Sequence, residues 1–293
     1  MLTTSFLRQL EQVLGRQTRK KIHFRRVKPI EGGNVNLTAR LDTTAGTYFL
    51  KSNDAFRFPA MFEKEARGLE CLRKAEAFTI PEVIMTGDAE GQAFLILKFV
   101  EDKEMKSDFW ESFGKSLAKL HKVNSPKYGF TEDNYIGSLE QSNKEHNKWI
   151  DFFIEERLEK QLKRAMELGI LTGDDENHFQ KLYRELDSLI PNEPPSLLHG
   201  DLWGGNFITG DNGEPCLIDP AVYYGHREMD LSMTRLFDGF EKPFYDIYNS
   251  EYPLAPGFEA RVDIHNLYPL LVHVNLFGGG YIPQLRGVIK KFK

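Results

Sequence analysis

The sequence predicts an α+β chain of two lobes: an N-terminal five-stranded antiparallel sheet with one helix over residues 1–100, and a mainly helical C-terminal lobe over residues 101–293. Three observations carry this expectation. Short β-type runs, separated by Gly and Asp turns, crowd into residues 1–100. Beyond Val100 strands become scarce, and long runs with apolar residues at helical spacing take over. Finally, the stretch from His199 to Asp219, HGDLWGGNFITGDNGEPCLID, sets Asp201, Asn206 and Asp219 around a strand–turn–strand whose Asn-Gly turn is a strong hairpin signal.

The elements follow in order. Leu2, Phe6, Leu10, Val13 and Leu14 recur at helical spacing, with Thr3 or Thr4 able to cap the helix and Gly15 able to stop it. Residues 21–30, 37–41 and 47–51 read as strands, the last ending at Lys51. Between the first two lies Glu31-Gly-Gly-Asn-Val-Asn36. A glycine turn followed by a strand-borne lysine is the layout of a nucleotide-covering loop. Gly32 and Gly33 let the backbone approach phosphates and Lys51 brings charge to them, although the full G-x-G-x-x-G spacing is absent. A helix is expected over residues 60–75, with Phe62, Leu69 and Leu72 on its inward stripe. Glu65 falls within that stripe, and an acid on an apolar face requires a partner, for which Lys51 is placed. Residues 81–86 and 93–100 complete the sheet, and the free backbone groups of Lys98, Phe99 and Val100 at the lobe junction suit an adenine edge.

In the second lobe, residues 107–122 form a helix with Phe109, Phe113, Leu117 and Leu120 on one face, and His121 is expected to meet its last carbonyls. Residues 128–142 read as irregular. Residues 148–168 and 176–190 are long amphipathic helices, and residues 191–195 a rigid connector. A further helix starts near Leu231, with Asp230 either capping it or bracing the loop at His199. Residues 258–277 and 282–292 are closing helices separated by Gly278-Gly-Gly280.

Folding the hairpin back places Asn206 beside Asp219, with Asp201 on the loop before them. Phosphoryl transfer needs this equipment: a carboxylate to orient and deprotonate a hydroxyl, and an amide with a second carboxylate to hold Mg²⁺ against the phosphates of ATP. Asp-x4-Asn followed by an Asp after a short hairpin is the spacing of the kinase catalytic and metal loops. Trp203, between Asp201 and Asn206, either stacks on a sugar or packs the loop.

Composition narrows the class. A net charge of −5 argues against a nucleic-acid binder. With 41% hydrophobic and 28% charged residues, the chain has a globular composition. The 2 cysteines, Cys71 and Cys216, have no framework or metal spacing, which fits a reducing cytosol. No apolar run approaches a membrane span and no signal segment opens the chain, so a cytoplasmic protein is expected.

Assembled, these residues resemble the fructosamine kinase (ketosamine-3-kinase) family, within the aminoglycoside-phosphotransferase-like, protein-kinase-like fold. The resemblance rests on HGDLWGGN at 199–206, IDPAVYYGHREMD at 218–230, MFEKEARGLECLR at 61–73 and PLAPGF at 253–258. It implies ATP-dependent phosphorylation of the 3-hydroxyl of a ketosamine, a fructosamine or ribulosamine, small or protein-bound, in deglycation repair. By the same likeness Asp201 is the catalytic base, Asn206 and Asp219 hold Mg²⁺, and Lys51 and Glu65 form the phosphate-orienting pair. Trp203, His226 and Asp230 are candidates for the surface that contacts substrate. The glycine loop departs from the family by having no cysteine, which puts redox control through it in doubt. Two alternatives stay open: a kinase for another hydroxyl (aminoglycoside, choline or sugar), and a catalytically silent pseudokinase scaffold. The intact set Lys51, Glu65, Asp201, Asn206 and Asp219 speaks against a scaffold, which has no physical need for all five.

Overall fold

The computed structural model describes residues 2–30, 35–237 and 239–292. Helix α1 (Thr4–Thr18) begins where the Thr3 hydroxyl accepts the Phe6 N–H, and it runs through Gly15 to a left-handed stop at Arg19. The expected stop at Gly15 is therefore displaced: the Lys20 N–H closes back onto the Gly15 carbonyl instead. Strands β1 (Phe24–Pro29), β2 (Leu37–Thr43), β3 (Gly46–Asp54), β4 (Val83–Ala89) and β5 (Gln92–Lys98) form one antiparallel sheet in the order β1-β2-β3-β5-β4. Between β3 and β4 lies helix α2 (Met61–Lys74).

The two-residue period of the strands decides which side chains meet which helix. On one face Leu41, Leu50, Phe94 and Ile96 bury the stripe Phe6, Leu10 and Leu14 of α1. On the other, Leu95 and Leu97 meet Phe62, Leu69 and Leu72 of α2. Lys51 follows Leu50, so it belongs to the α2 face, in register with Leu95. It lies within β3, not at its end as expected.

The α2-side core continues into the helical half through helix α3 (Phe109–His121), whose Phe109, Phe113 and Leu117 join the same cluster. Next comes the hairpin β6 (Asn134–Ile136) and β7 (Leu139–Gln141), inside the stretch expected to be irregular. The segments α4 (Trp149–Phe152) and α5 (Glu159–Glu167) are joined through a π-helical stretch, Phe153–Leu158, and α6 (Gly173–Leu189) opens with a Thr172/Asp175 capping box. Four short strands follow: β8 (Ser196–Leu198), β9 (Phe207–Thr209), β10 (Pro215–Leu217) and β11 (Tyr223–Gly225). The β9–β10 hairpin was expected; the antiparallel β8–β11 pair was not.

Helix α7 (Glu228–Met233) starts before Leu231 and already contains Asp230, which excludes the capping alternative. Helix α8 (Lys242–Glu251) crosses α3 at Gly114, where an added Cβ would lie 2.5 Å from the Phe244 carbonyl oxygen. Only glycine permits that approach. Helices α9 (Phe258–His265), α10 (Leu267–Phe277) and α11 (Ile282–Ile289) close the chain, with a 3-10 turn, Gly279–Tyr281, before the last. Among the described residues no helix is long and apolar enough to cross a membrane.

Candidate active site

The site is assembled on the loop after β8 and the segment before β11. Pairing of these two strands clamps residues 199–202 against residues 219–222. Gly200 sits at φ +84°, and a Cβ there would stand 2.0 Å from the Ala221 oxygen, so no side chain fits between His199 and Asp201. His199 Nε2 donates to the Ile218 carbonyl (2.9 Å), which leaves Nδ1 to accept the Asp201 N–H (3.3 Å). Burial lowers the pKa of His199, and the neutral tautomer so selected ties the two halves of the site together.

Asp230 holds the loop from behind. Its carboxylate accepts the N–H groups of His199 (2.7 Å) and Gly200 (2.9 Å). His121 is not spent on helix-end carbonyls, as expected from its position. Fully buried, it places Nε2 3.2 Å from Asp230 and Nδ1 2.8 Å from the Tyr248 hydroxyl. The Arg227 guanidinium continues the chain to Tyr248 and forks onto Glu193. Replacing His121 with leucine is expected to remove about 2–4 kcal/mol of stability in urea unfolding, because a buried carboxylate loses a partner. It should also lower kcat without raising KM for ATP; an unchanged kcat would place His121 outside the positioning of the loop.

Asn206 locks the loop from the front. Its amide nitrogen donates to both the Asp201 carbonyl and carboxylate, each at 2.8 Å, and the Asn206 carbonyl accepts the Ile218 N–H (3.0 Å) across the hairpin. Burial raises the Asp201 pKa to about 7; the hydrogen bond from Asn206 works against this, while Asp219 and Asp230 add to it. Asp219 adopts φ +55° and turns Oδ1 toward Lys51 Nζ (2.6 Å), which also reaches Glu65 Oε1 (2.7 Å). Lys51 is buried at 4% exposure whereas Asp219 keeps 44%. Burial opposes the lysine's charge, but the carboxylates of Asp219 and Glu65 outweigh it and raise its pKa. Burial in turn pushes the Glu65 carboxyl up against the pull of Lys51.

These five residues share the wall of a cavity of about 600 Å³. Because the Asn206 nitrogen faces Asp201, its Oδ1 is left without a hydrogen bond among the described residues, as is Asp219 Oδ2. An amide oxygen and a carboxylate oxygen are the hard donors that Mg²⁺ takes, so the residues present fit that ion.

The other expectations fare unevenly. Gly32 and Gly33 lie outside the described residues; Val35 and Asn36, which follow them, line the cavity. At the lobe junction the Lys98 N–H is already given to the Glu82 carbonyl (2.8 Å) and the Phe99 N–H to that of Thr47 (3.2 Å). Among the described residues only the Val100 N–H of these three is left without a partner. Trp203, 38% exposed, stands on the cavity wall with its ring edge-on to Phe237 at 5.9 Å. Two substrate-contact expectations need correcting. His226 is 0% exposed, bonds the Pro191 carbonyl (3.1 Å), and has its pKa lowered to about 4, first by burial and then by His265. Asp230 is likewise buried and spent on the loop backbone. Sequence reasoning missed His273, Phe277 and Tyr281, whose rings pack together on the cavity wall. The i, i+4 spacing of His273 and Phe277 just before the triple glycine was the available signal.

The whole architecture is shared. The aminoglycoside phosphotransferase APH(4)-Ia, crystallised as a variant with ADP and hygromycin B, superposes with a TM-score of 0.64 at 14% identity, over 96% of this chain and 98% of that one. Crystal structures of candidate fructosamine-3-kinases from Haemophilus somnus and Thermobifida fusca superpose with TM-scores of 0.88 and 0.86, at 30% and 32% identity, each over 96% of this chain and over 96% and 97% of theirs. The chain thus has the protein-kinase-like fold of phosphotransferases. Residues 6–293 match the family described as fructosamine kinase. A probable ketoamine kinase of Vibrio parahaemolyticus is 40% identical, covering 89% of this chain and 90% of that protein. The chloroplastic protein-ribulosamine 3-kinase of Arabidopsis thaliana is 35% identical, covering 93% and 84%. The chain belongs to the fructosamine kinase family.

Proposed function

We propose that the chain transfers the γ-phosphoryl group of ATP to the 3-hydroxyl of a ketosamine, a fructosamine or ribulosamine, and so serves in deglycation repair. The observation that carries this reading is Asp201 on the wall of a cavity large enough for a sugar adduct, with a pKa of about 7. A base works best when its pKa lies near the working pH. Asp201 takes the proton of the acceptor hydroxyl as that oxygen bonds to the γ-phosphorus. The bond from this phosphorus to the oxygen bridging the β-phosphate breaks, and ADP leaves with the electron pair. Lys51, held between Glu65 and Asp219, neutralises phosphate charge. Asn206 Oδ1 and Asp219 Oδ2 would hold Mg²⁺, which shields the phosphates. Residues 1–100 would carry the nucleotide, with the Val100 N–H at the adenine edge, and residues 101–293 most of the acceptor surface.

The charge of the cavity favours a ketosamine over a polycationic antibiotic. Its described acids are Glu65, Asp201 and Asp219, and Lys51 occupies two of them. ATP consumption with Mg²⁺ across fructosyl-lysine, ribulosyl-lysine, kanamycin and choline tests the assignment. Turnover is expected on a ketosamine, with phosphorus NMR placing the phosphate on the 3-hydroxyl. Turnover confined to kanamycin or choline would overturn it.

A further inference from the structure

Helix α2 presents a stripe to the cavity at Met61, Lys64, Glu65 and Gly68, the spacing of one helical face. Glu65 is spent on Lys51. Lys64 is not spent on anything charged: among the described residues no carboxylate lies within ion-pair distance of it. Its ammonium stands instead 5.1 Å from the centroid of the Tyr135 ring, on the β6–β7 hairpin. That ring is fixed, because the Tyr135 hydroxyl donates to the Pro59 carbonyl at the foot of α2 (3.0 Å). Tyr135 and its neighbours Ile136, Gly137 and Ser138 line the same cavity. The aromatic face thus holds a lysine in place without neutralising it.

The other titratable groups on the wall sharpen the point. Lys51 is saturated by two carboxylates, and burial lowers the pKa of His273, so it contributes no standing charge. Lys64 is therefore the uncompensated cation among the described residues that line the cavity. A half-buried ammonium beside an acceptor cavity is matched by a compact anion on the acceptor.

We propose that Lys64 is a specificity-determining residue that binds an anionic group on the acceptor, so that the preferred ketosamine carries a carboxylate on its amine portion or a phosphate on its sugar. This rests on the ketosamine reading of the site. Three acceptors test it: fructosyl-glycine, fructosyl-glycinamide, which lacks any anionic group, and 6-phosphofructosyl-glycinamide. Wild type, Lys64→Met and Lys64→Arg are compared, methionine being unbranched and compatible with the helix. The wild type is expected to show a KM about tenfold lower for an anionic acceptor than for fructosyl-glycinamide. Lys64→Met should abolish that preference while kcat and KM for ATP stay within about twofold, and Lys64→Arg should retain most of it. Whether fructosyl-glycine or the phosphosugar shows the preference tells the carboxylate source from the phosphate. No preference in the wild type, or one that survives Lys64→Met, overturns the proposal. So does a KM for ATP that rises with every acceptor, which would assign Lys64 to the nucleotide. Wild-type turnover of fructosyl-glycinamide reports on the ketosamine reading whatever Lys64 does; no turnover of any of the three overturns both.

Discussion

Asp201→Ala is expected to lower kcat by about 10²–10⁴-fold, the range over which a positioned general base contributes, while ATP binding measured by calorimetry stays within a few-fold. The reason is local. Asp201 touches neither Lys51 nor Glu65, and its hydrogen-bonded neighbours are Asn206 and His199. Retained turnover would remove Asp201 from the chemistry. The pH dependence has a definite sign. Burial holds the carboxyl at about 7, and only its ionised form accepts a proton, so kcat/KM should rise about tenfold per pH unit below that value and level off above it. The same shift works against folding. A carboxyl that binds its proton more tightly in the folded state costs stability as pH rises from its unfolded pKa of 3.8 towards its folded pKa of about 7, and the full cost stands above that. Asp201→Asn, inactive for lack of a base, is therefore expected to melt at a higher temperature than the wild type at pH 8.

Asp219→Asn is expected to remove most of the metal-dependent part of nucleotide affinity. Asparagine tolerates the left-handed backbone at this position, where φ is +55°, so the variant tests charge rather than conformation. It withdraws a carboxylate from Lys51 as well, leaving Glu65 as the lysine's partner. Titrating ATP with and without Mg²⁺ should show affinity falling at least tenfold with the ion present and changing little without it. Equal affinities in the two conditions, in wild type and variant alike, would count against Asp219 as the metal ligand.

What the sequence disclosed, and what it withheld, divides by range. The β9–β10 hairpin was legible because turn chemistry and flanking apolar runs are contiguous. The Lys51–Glu65 pair was legible because helical periodicity put an acid on an apolar stripe, where burial compels a partner. The β8–β11 pairing was not, since two three-residue strands carry no pattern of their own and are joined only through packing. His121 illustrates the same limit. Its helix-end position suggested carbonyl contacts, and what overrode this is Tyr248, 127 residues away along the chain. His226 stands next to Gly225 in a motif-like run, but its ring is stacked on His265 inside the core, which nothing in the local sequence announces.

The ion pair of Lys51 with Asp219 spans 168 residues. The sheet around Lys51 is complete once β5 is made at Lys98, whereas the partner carboxylate is made much later. At a synthesis rate of about 5–20 residues per second, the lysine waits on the order of ten to thirty seconds on the ribosome with Glu65 alone. A nascent chain stalled before residue 219 would expose a half-neutralised cation at a finished sheet. The cluster of Lys51, Glu65 and Asp219 thus reaches its final charge state only as translation passes the β9–β10 hairpin.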